Sequence, residues 1–439
     1  MSARESALRV LTACRTNGAW ADAALAAELN RQALRPSDAA LASRIVYGVL
    51  QNRMLLDHYI GQCCRQRLSH LQQPLPDILR IGAYQILFLD KVPDNAAVSE
   101  SVELAKLSKR GSASGLVNAV LRQLARRRDS LQEPAGSAAE RLSVLTSHPL
   151  WLVERLISLS GESEARRFLE SDNEIAPVCI QPNPLETDSE ALLRELSEAG
   201  IAASPHPWVP DCLELRGVGD LTTLPAFYRG KFIVQDAAAR LVSLVAGVRP
   251  EQRILDVCAA PGGKSFSAAF ALRNAGQIIA CDLHENKLKR IRDGATRLGL
   301  TCISTESADG RVFRPEWEAG FDVVLCDVPC SGLGVIRKKP DIRYKQPSDF
   351  APLPSIQRAI LENSAGYVKP GGVLIYSTCT VLPEENGDVT GAFLERNERF
   401  SKETFELPGF SDGSNGEASL WPQRHGTDGF YICKMRRNA

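Results

Sequence analysis

From about residue 231 the chain alternates short apolar runs with amphipathic stretches, and this alternation restricts the fold more than any other feature. Strands are predicted at 253–257, 277–281, 322–326 and 372–377, with helical stretches such as 284–298 and 353–368 between them. Parallel neighbours need a crossover long enough to hold a helix, so the pattern argues for a parallel, doubly wound α/β sheet. In such sheets ligands bind outside the carboxyl ends of the strands. The residues of this chain that could do chemistry fall at those ends.

The N-terminal part reads differently. Residues 1–140 read as all helix, with apolar residues at three- and four-residue spacing, as in Leu41, Ile45, Val46, Leu50 and in Leu79, Ile81, Tyr84, Leu87. A helix is expected after Pro93, with Asp94 or Asn95 as its cap. Another, from Gly115, carries Arg122, Arg126, Arg127 and Arg128 on its polar flank. Those cations suit a solvated helix C-terminus and a nucleic-acid contact equally well. The whole chain is neutral, yet residues 1–140 hold 18 Lys and Arg against 13 Asp and Glu. A basic module on a neutral protein suits a polyanionic partner.

Pro134-Ala-Gly-Ser marks a boundary. Residues 148–230 then mix short helices and strands. The expected organisation is an all-α domain at 1–140, a small α+β connecting subdomain at 148–230 and the α/β domain at 231–439. At 439 residues the chain is too long for one ordinary core, which agrees with this division. No apolar run is long enough to span a bilayer, so no membrane partner is expected. The N-terminus lacks a signal-peptide core, which predicts a cytoplasmic protein with its twelve cysteines reduced. There is no C-x-x-C pair and the six histidines are scattered, so no metal is expected.

The first strand end of the α/β part reads Asp256-Val-Cys-Ala-Ala-Pro-Gly-Gly-Lys264, followed by Ser265. It ends like a phosphate loop but is not one. A Walker A motif needs glycine six residues before the lysine, where this chain has Cys258. Pro261 also removes a backbone donor. The next strand ends at Asp282, 19 residues after Gly263, near the offset at which an acid meets ribose hydroxyls. Asp309 is placed at the following strand end, within reach of an adenine amine. Any one of Asp256, Asp282 and Asp309 could be a helix cap. Together, without a phosphate cradle, they fit S-adenosylmethionine better than NAD or ATP.

Two later strand ends carry cysteines, Cys330 in Asp327-Val-Pro-Cys-Ser and Cys379 in Tyr376-Ser-Thr-Cys-Thr. C5 of a pyrimidine is a poor nucleophile. Thiolate addition at C6 makes C5 reactive, an acid must hold N3 and the exocyclic amine, and a base must then take the C5 proton. Asp327, Cys330 and Cys379 supply these types. Residue type leaves open which cysteine attacks and whether one is only a buried thiol. For Cys258, Cys281 and Cys326 the buried structural role is preferred.

With these motifs residues 179–439 resemble the RNA cytosine-C5 methyltransferases. The resemblance also includes Leu382-Pro-Glu-Glu-Asn386 and Asp428-Gly-Phe-Tyr431. It implies a Rossmann-like methyltransferase sheet, with Cys379 as nucleophile and Cys330 assisting release of the adduct. It implies that Cys258, Ala259, Ala260, Pro261, Gly262, Gly263, Lys264, Asp282, Asp309 and Asp327 line the S-adenosylmethionine site, Asp327 also facing the cytosine. Residues 1–140 resemble the NusB-type helical RNA-binding domain, through Asp94 to Lys106 and Gly115 to Arg122. The fusion implies small-subunit (16S) ribosomal RNA as partner, and a monomer is expected. A non-catalytic RNA-binding protein with a degenerate methyltransferase fold is the competing expectation. The chain departs from the family pattern at Val328, where alanine is usual, and at Gln181, where arginine is usual.

Overall fold

The computed structural model describes residues 2–108 and 110–439. Contacts divide the chain into two compact units, one formed by residues up to Glu174 with Ile336–Lys345, the other by Ile175–Val335 with Gln346–Ala439.

The first unit is all helix, as expected. Helices Ala3–Asn17, Pro36–Gln51, Arg53–Cys63, Leu75–Phe88, Asp94–Leu107 and Ser114–Arg126 surround one apolar core. Ile45, Leu56, Ile60, Ile78, Leu79, Ile81 and Leu121 are completely shielded there. Gly48 lets two helices approach, since a Cβ at that position would sit 1.9 Å from the Tyr84 ring. The unit runs past the Pro/Gly stretch through helices Ala138–Thr146, Leu150–Ser160 and Glu162–Ser171. Arg343 helps tie these later helices to the earlier ones. Its guanidinium is fully buried and donates to the carbonyls of Gln51 at 2.9 Å, Thr146 at 3.2 Å and Asp172 at 3.3 Å. Three helix C-termini thus share one cation, the charge their dipoles favour.

Two details differ from expectation. The helix after Pro93 begins at Asp94 itself, without a side-chain cap. Asp94 instead pairs with Arg128 at 2.6 Å. Arg127 donates to the Gln62 carbonyl at 3.0 Å. Half of the expected arginine flank therefore fastens the helix end, while Arg122 and Arg126 stay exposed.

The second unit holds two sheets. Strands β1 (Val178–Pro182), β2 (Ala202–Pro205), β3 (Leu213–Arg216) and β4 (Phe232–Val234) form an antiparallel sheet in the order β2-β3-β1-β4. The larger sheet contains β5 (Arg253–Asp256), β6 (Gln277–Asp282), β7 (Ile303–Ser307), β8 (Phe321–Asp327), β9 (Val368–Thr378), β10 (Phe400–Lys402), β11 (Glu417–Leu420) and β12 (Phe430–Arg437). Its order is β10-β12-β9-β8-β5-β6-β7, with β11 beside β12. Strands β5 to β9 are parallel, and β12 is antiparallel to β9. From β5 the chain winds outward through β6 and β7, then returns to the other side of β5 as β8. The strand order therefore reverses between β5 and β8, and the crevice at that switch point is where such sheets bind ligands. No helix among the described residues is long and apolar enough to cross a membrane.

Candidate active site

Strand β5 turns at Asp256 into the glycine loop and then helix Gly263–Ala271. Gly262 has φ 114, and a Cβ there would meet the Phe266 ring at 2.6 Å. Only glycine suits this turn, because the backbone is left-handed and the ring fills the side-chain space. Lys264 leaves the first turn of the helix and reaches Asp327 at the end of β8, with Nζ to Oδ2 at 2.7 Å. The other Asp327 oxygen accepts the Ser377 hydroxyl at 2.7 Å. Ser265 donates to Asp256 at 2.6 Å. Both side chains of Lys264-Ser265 thus serve carboxylates, which agrees with rejecting a phosphate loop.

Asp256, the first of the three strand-end acids, is wholly buried beneath the loop. Burial pushes its carboxyl up to about 7, against the smaller opposing effect of the Ser265 hydrogen bond. A carboxyl raised in the fold binds its proton more tightly there than when unfolded. Its contribution to stability is therefore greatest in acid and falls as pH rises from about 4 to about 7. In Asp256→Asn this slope should vanish. Urea unfolding at several pH values checks it, read as the difference between wild type and variant.

Asp282 ends β6 and caps the following turn, accepting the His284 N–H at 2.9 Å, with Lys287 at 3.7 Å. Asp309 lies two residues beyond the end of β7, and Arg311 grips both its oxygens. Both acids are partly accessible to a ligand. Gly310 packs beneath, where a Cβ would lie 2.9 Å from Val257. Donors and acceptors ranged along β5, β6 and β7 without a phosphate cradle fit a cofactor carrying an adenosine and no phosphate.

The two cysteines come together through sheet register. Asp327 on β8 stands opposite Ser377 on β9. Cys330 and Cys379 follow three and two residues later, and their sulfurs are 3.2 Å apart. Neither is in a disulfide. The hydrogen bond to Cys379, burial, and the charges of Glu385 and Asp327 hold the Cys330 thiol well above its ordinary range. Burial likewise pushes Cys281 and Cys326 up to about 12 and Cys258 well up, which fits their expected structural role. The loops bearing the pair are tied together. Gly334 N–H donates to the Cys379 carbonyl at 3.0 Å, and Gly429 N–H donates to the Gly334 carbonyl at 2.8 Å. A Cβ on Gly334 would stand 2.0 Å from the Gly429 oxygen. Gly429 belongs to the Asp428-Gly-Phe-Tyr431 motif, so that motif acts by letting two backbones meet.

Two residues given no role by the sequence complete the centre, and two departures from the family pattern lie near it. Ser377 and Gln357 leave no signal in composition or spacing. Gln181 is buried and bonds to Gln235, with the Ser267 hydroxyl on the same pair. An uncharged amide here needs no counter-ion, so this departure from the expected arginine is accommodated inside the protein. Val328 is buried, and its N–H pairs with the Ser377 carbonyl at 3.1 Å. Among the described residues no group of histidine, cysteine and acid side chains could hold a metal.

Family models match three parts of the chain: NusB family over residues 1–126, the ferredoxin-like domain of RsmF/B-like methyltransferases over 148–222, and 16S rRNA methyltransferase RsmB/F over 244–436. A probable ribosomal RNA small subunit methyltransferase B of Bacillus subtilis is 34% identical, with 100% of this chain and 99% of that protein covered. The chain belongs to the RsmB/F methyltransferase family. The crystal structure of PH0851 shares 26% identity at a TM-score of 0.84, covering 99% of this chain and 98% of its own. A methyltransferase homologue from Pyrococcus horikoshii shares 27% identity at a TM-score of 0.60, covering 69% of this chain and 100% of its own. S-adenosylmethionine is the cofactor of an RsmB/F methyltransferase, which answers to the adenosine-shaped set of groups above. Asp282→Ala should weaken its binding by about 1.5–3 kcal/mol, the worth of a charge-assisted hydrogen bond. Calorimetric titration measures this, and an unchanged Kd would leave Asp282 only its capping role.

Proposed function

We propose that this protein methylates C5 of a cytosine in small-subunit ribosomal RNA through a covalent bond to the base. The observation that carries the reading is the pair of reduced sulfurs 3.2 Å apart beside the Lys264–Asp327 pair. A single nucleophile would need one thiol, and a binding module would need neither. In this reading Cys379 adds to C6, the electron pair moves toward C5, and Asp327 holds the exocyclic amine and N3 edge of the ring. Lys264 pairs with Asp327 at 2.7 Å and is the cation of the site. Bound S-adenosylmethionine would supply the electrophilic methyl group that C5 accepts, with S-adenosylhomocysteine as the leaving group. Loss of the C5 proton then closes the C5–C6 double bond and returns the bonding pair to Cys379, with Cys330 assisting. Cys258 to Lys264, Asp282, Asp309 and Asp327 would hold the cofactor.

The helical domain is assigned RNA binding, with Arg122 and Arg126 free to meet phosphate. The protein is assigned to the cytoplasm and to a monomeric state. RNA containing 5-fluorocytidine tests the chemistry, because fluorine at C5 cannot leave as a proton does. A denaturation-resistant protein–RNA complex that needs S-adenosylmethionine supports the reading. RNA binding without such a complex favours a non-catalytic RNA-binding protein. Bisulfite sequencing of ribosomal RNA from a deletion strain then reads the substrate.

A further inference from the structure

The stretch Leu382-Pro-Glu-Glu-Asn386 takes no part in the chemistry above. Its Glu385 is nonetheless 1% exposed, an unusual place for a carboxylate. Oε2 accepts the Ser331 N–H at 2.9 Å and the Gln357 amide at 2.9 Å. The same Gln357 nitrogen reaches the Pro329 carbonyl at 2.9 Å. Both chain neighbours of Cys330 are therefore fastened to one carboxylate. Oε1 is shielded from solvent and has no hydrogen-bond partner among the described residues. Burying a carboxylate with an idle oxygen is costly, and its place behind two reactive thiols suggests what it is kept for. Glu385 is itself held, since the Tyr376 hydroxyl donates to its carbonyl at 2.6 Å and Asn386 donates to the Thr380 carbonyl at 3.0 Å. It lies six residues after Cys379, so one short segment bears the first thiol and grips the loop of the second.

We propose that Glu385 is the positioning residue of the two-cysteine centre, fixing the Pro329–Ser331 turn and using its charge to keep Cys330 a neutral thiol whose S–H is directed at Cys379. The groups facing Cys330 are Cys379 and Tyr376 from β9 and its end, Glu385 from the turn beyond, and Asp327 from its own strand. Lys264, the cation of the site, is paired with Asp327. Negative charge therefore prevails around Cys330, and Cys330 is the donor in the 3.2 Å contact. This rests on the covalent reading. On release, water takes the C5 proton, that electron pair closes the C5–C6 double bond, the C6–Sγ bond breaks, and its pair returns to Cys379. The Cys330 S–H is already in place to stabilise the departing thiolate.

Peptide-resolved alkylation of Cys330 with iodoacetamide, over about pH 6 to about pH 11, tests this in the full-length protein without RNA. Glu385→Gln keeps an acceptor for the Ser331 N–H and removes the charge. Its alkylation midpoint should fall by about one unit, with a roughly tenfold faster rate at neutral pH. On ordinary RNA it should turn over roughly tenfold more slowly, with unchanged affinity for S-adenosylmethionine. An unchanged midpoint overturns the proposal. If Glu385→Gln no longer binds S-adenosylmethionine, Glu385→Asp is read instead. It keeps the charge and should keep the wild-type midpoint, and a fall there equally overturns the proposal. Trapping on 5-fluorocytidine RNA reads the covalent chemistry separately, so the two ideas fail independently.

Discussion

Cys330→Ala should stall the enzyme on its own product. Cys379 can still attack C6 and C5 can still accept the methyl group, because neither step needs the second thiol. What is lost is the hydrogen bond from 3.2 Å away that stabilises the departing Cys379 thiolate. A protein–RNA band should appear on a denaturing gel with ordinary RNA and S-adenosylmethionine. It should be absent from Cys330→Ala/Cys379→Ala. The competing account makes Cys330 a packing residue under the Pro329 turn. That account expects a small loss of stability and slower turnover with RNA fully released. Free methylated RNA accumulating over many turnovers, without the band, would reject the two-thiol mechanism.

Cys379→Ala should abolish methylation, with turnover falling by several orders of magnitude, because C5 becomes reactive only once a thiolate has added to C6. Affinity for S-adenosylmethionine should stay nearly as it was. The groups proposed to hold the cofactor lie at the ends of β5, β6, β7 and, with Asp327, β8, whereas Cys379 follows the end of β9. Calorimetry and a methyl-transfer assay on the same preparation separate the two effects. Substantial turnover by Cys379→Ala would pass the nucleophile role to Cys330. The surroundings of Cys330 oppose that outcome, since Glu385 and Asp327 both disfavour its thiolate.

Much of this was legible in the order of residues. The expected strands at 277–281 and 322–326 are observed as Gln277–Asp282 and Phe321–Asp327. Hydrophobic runs between helical stretches are a local signal, and a buried parallel strand is read from its own few residues. The rejection of a phosphate loop also needed only spacing. The helix cap at Asp94 misled because its carboxylate serves a partner 34 residues away.

By itself the sequence determined the α/β class, the helical N-terminal part and the residue types at each strand end. These follow from periodicity and from what each side chain can do chemically. Tertiary structure decided which strand ends face one another. Cys330 and Cys379 are 49 residues apart and meet only because β8 and β9 pair in the register Asp327 to Ser377. It also made Asp256 a buried group, gave Glu385 its hold on the Cys330 turn, and assigned Ile336–Lys345 to the helical unit through Arg343. Each depends on desolvation or on a hydrogen bond between distant segments, and neither leaves a trace in local pattern.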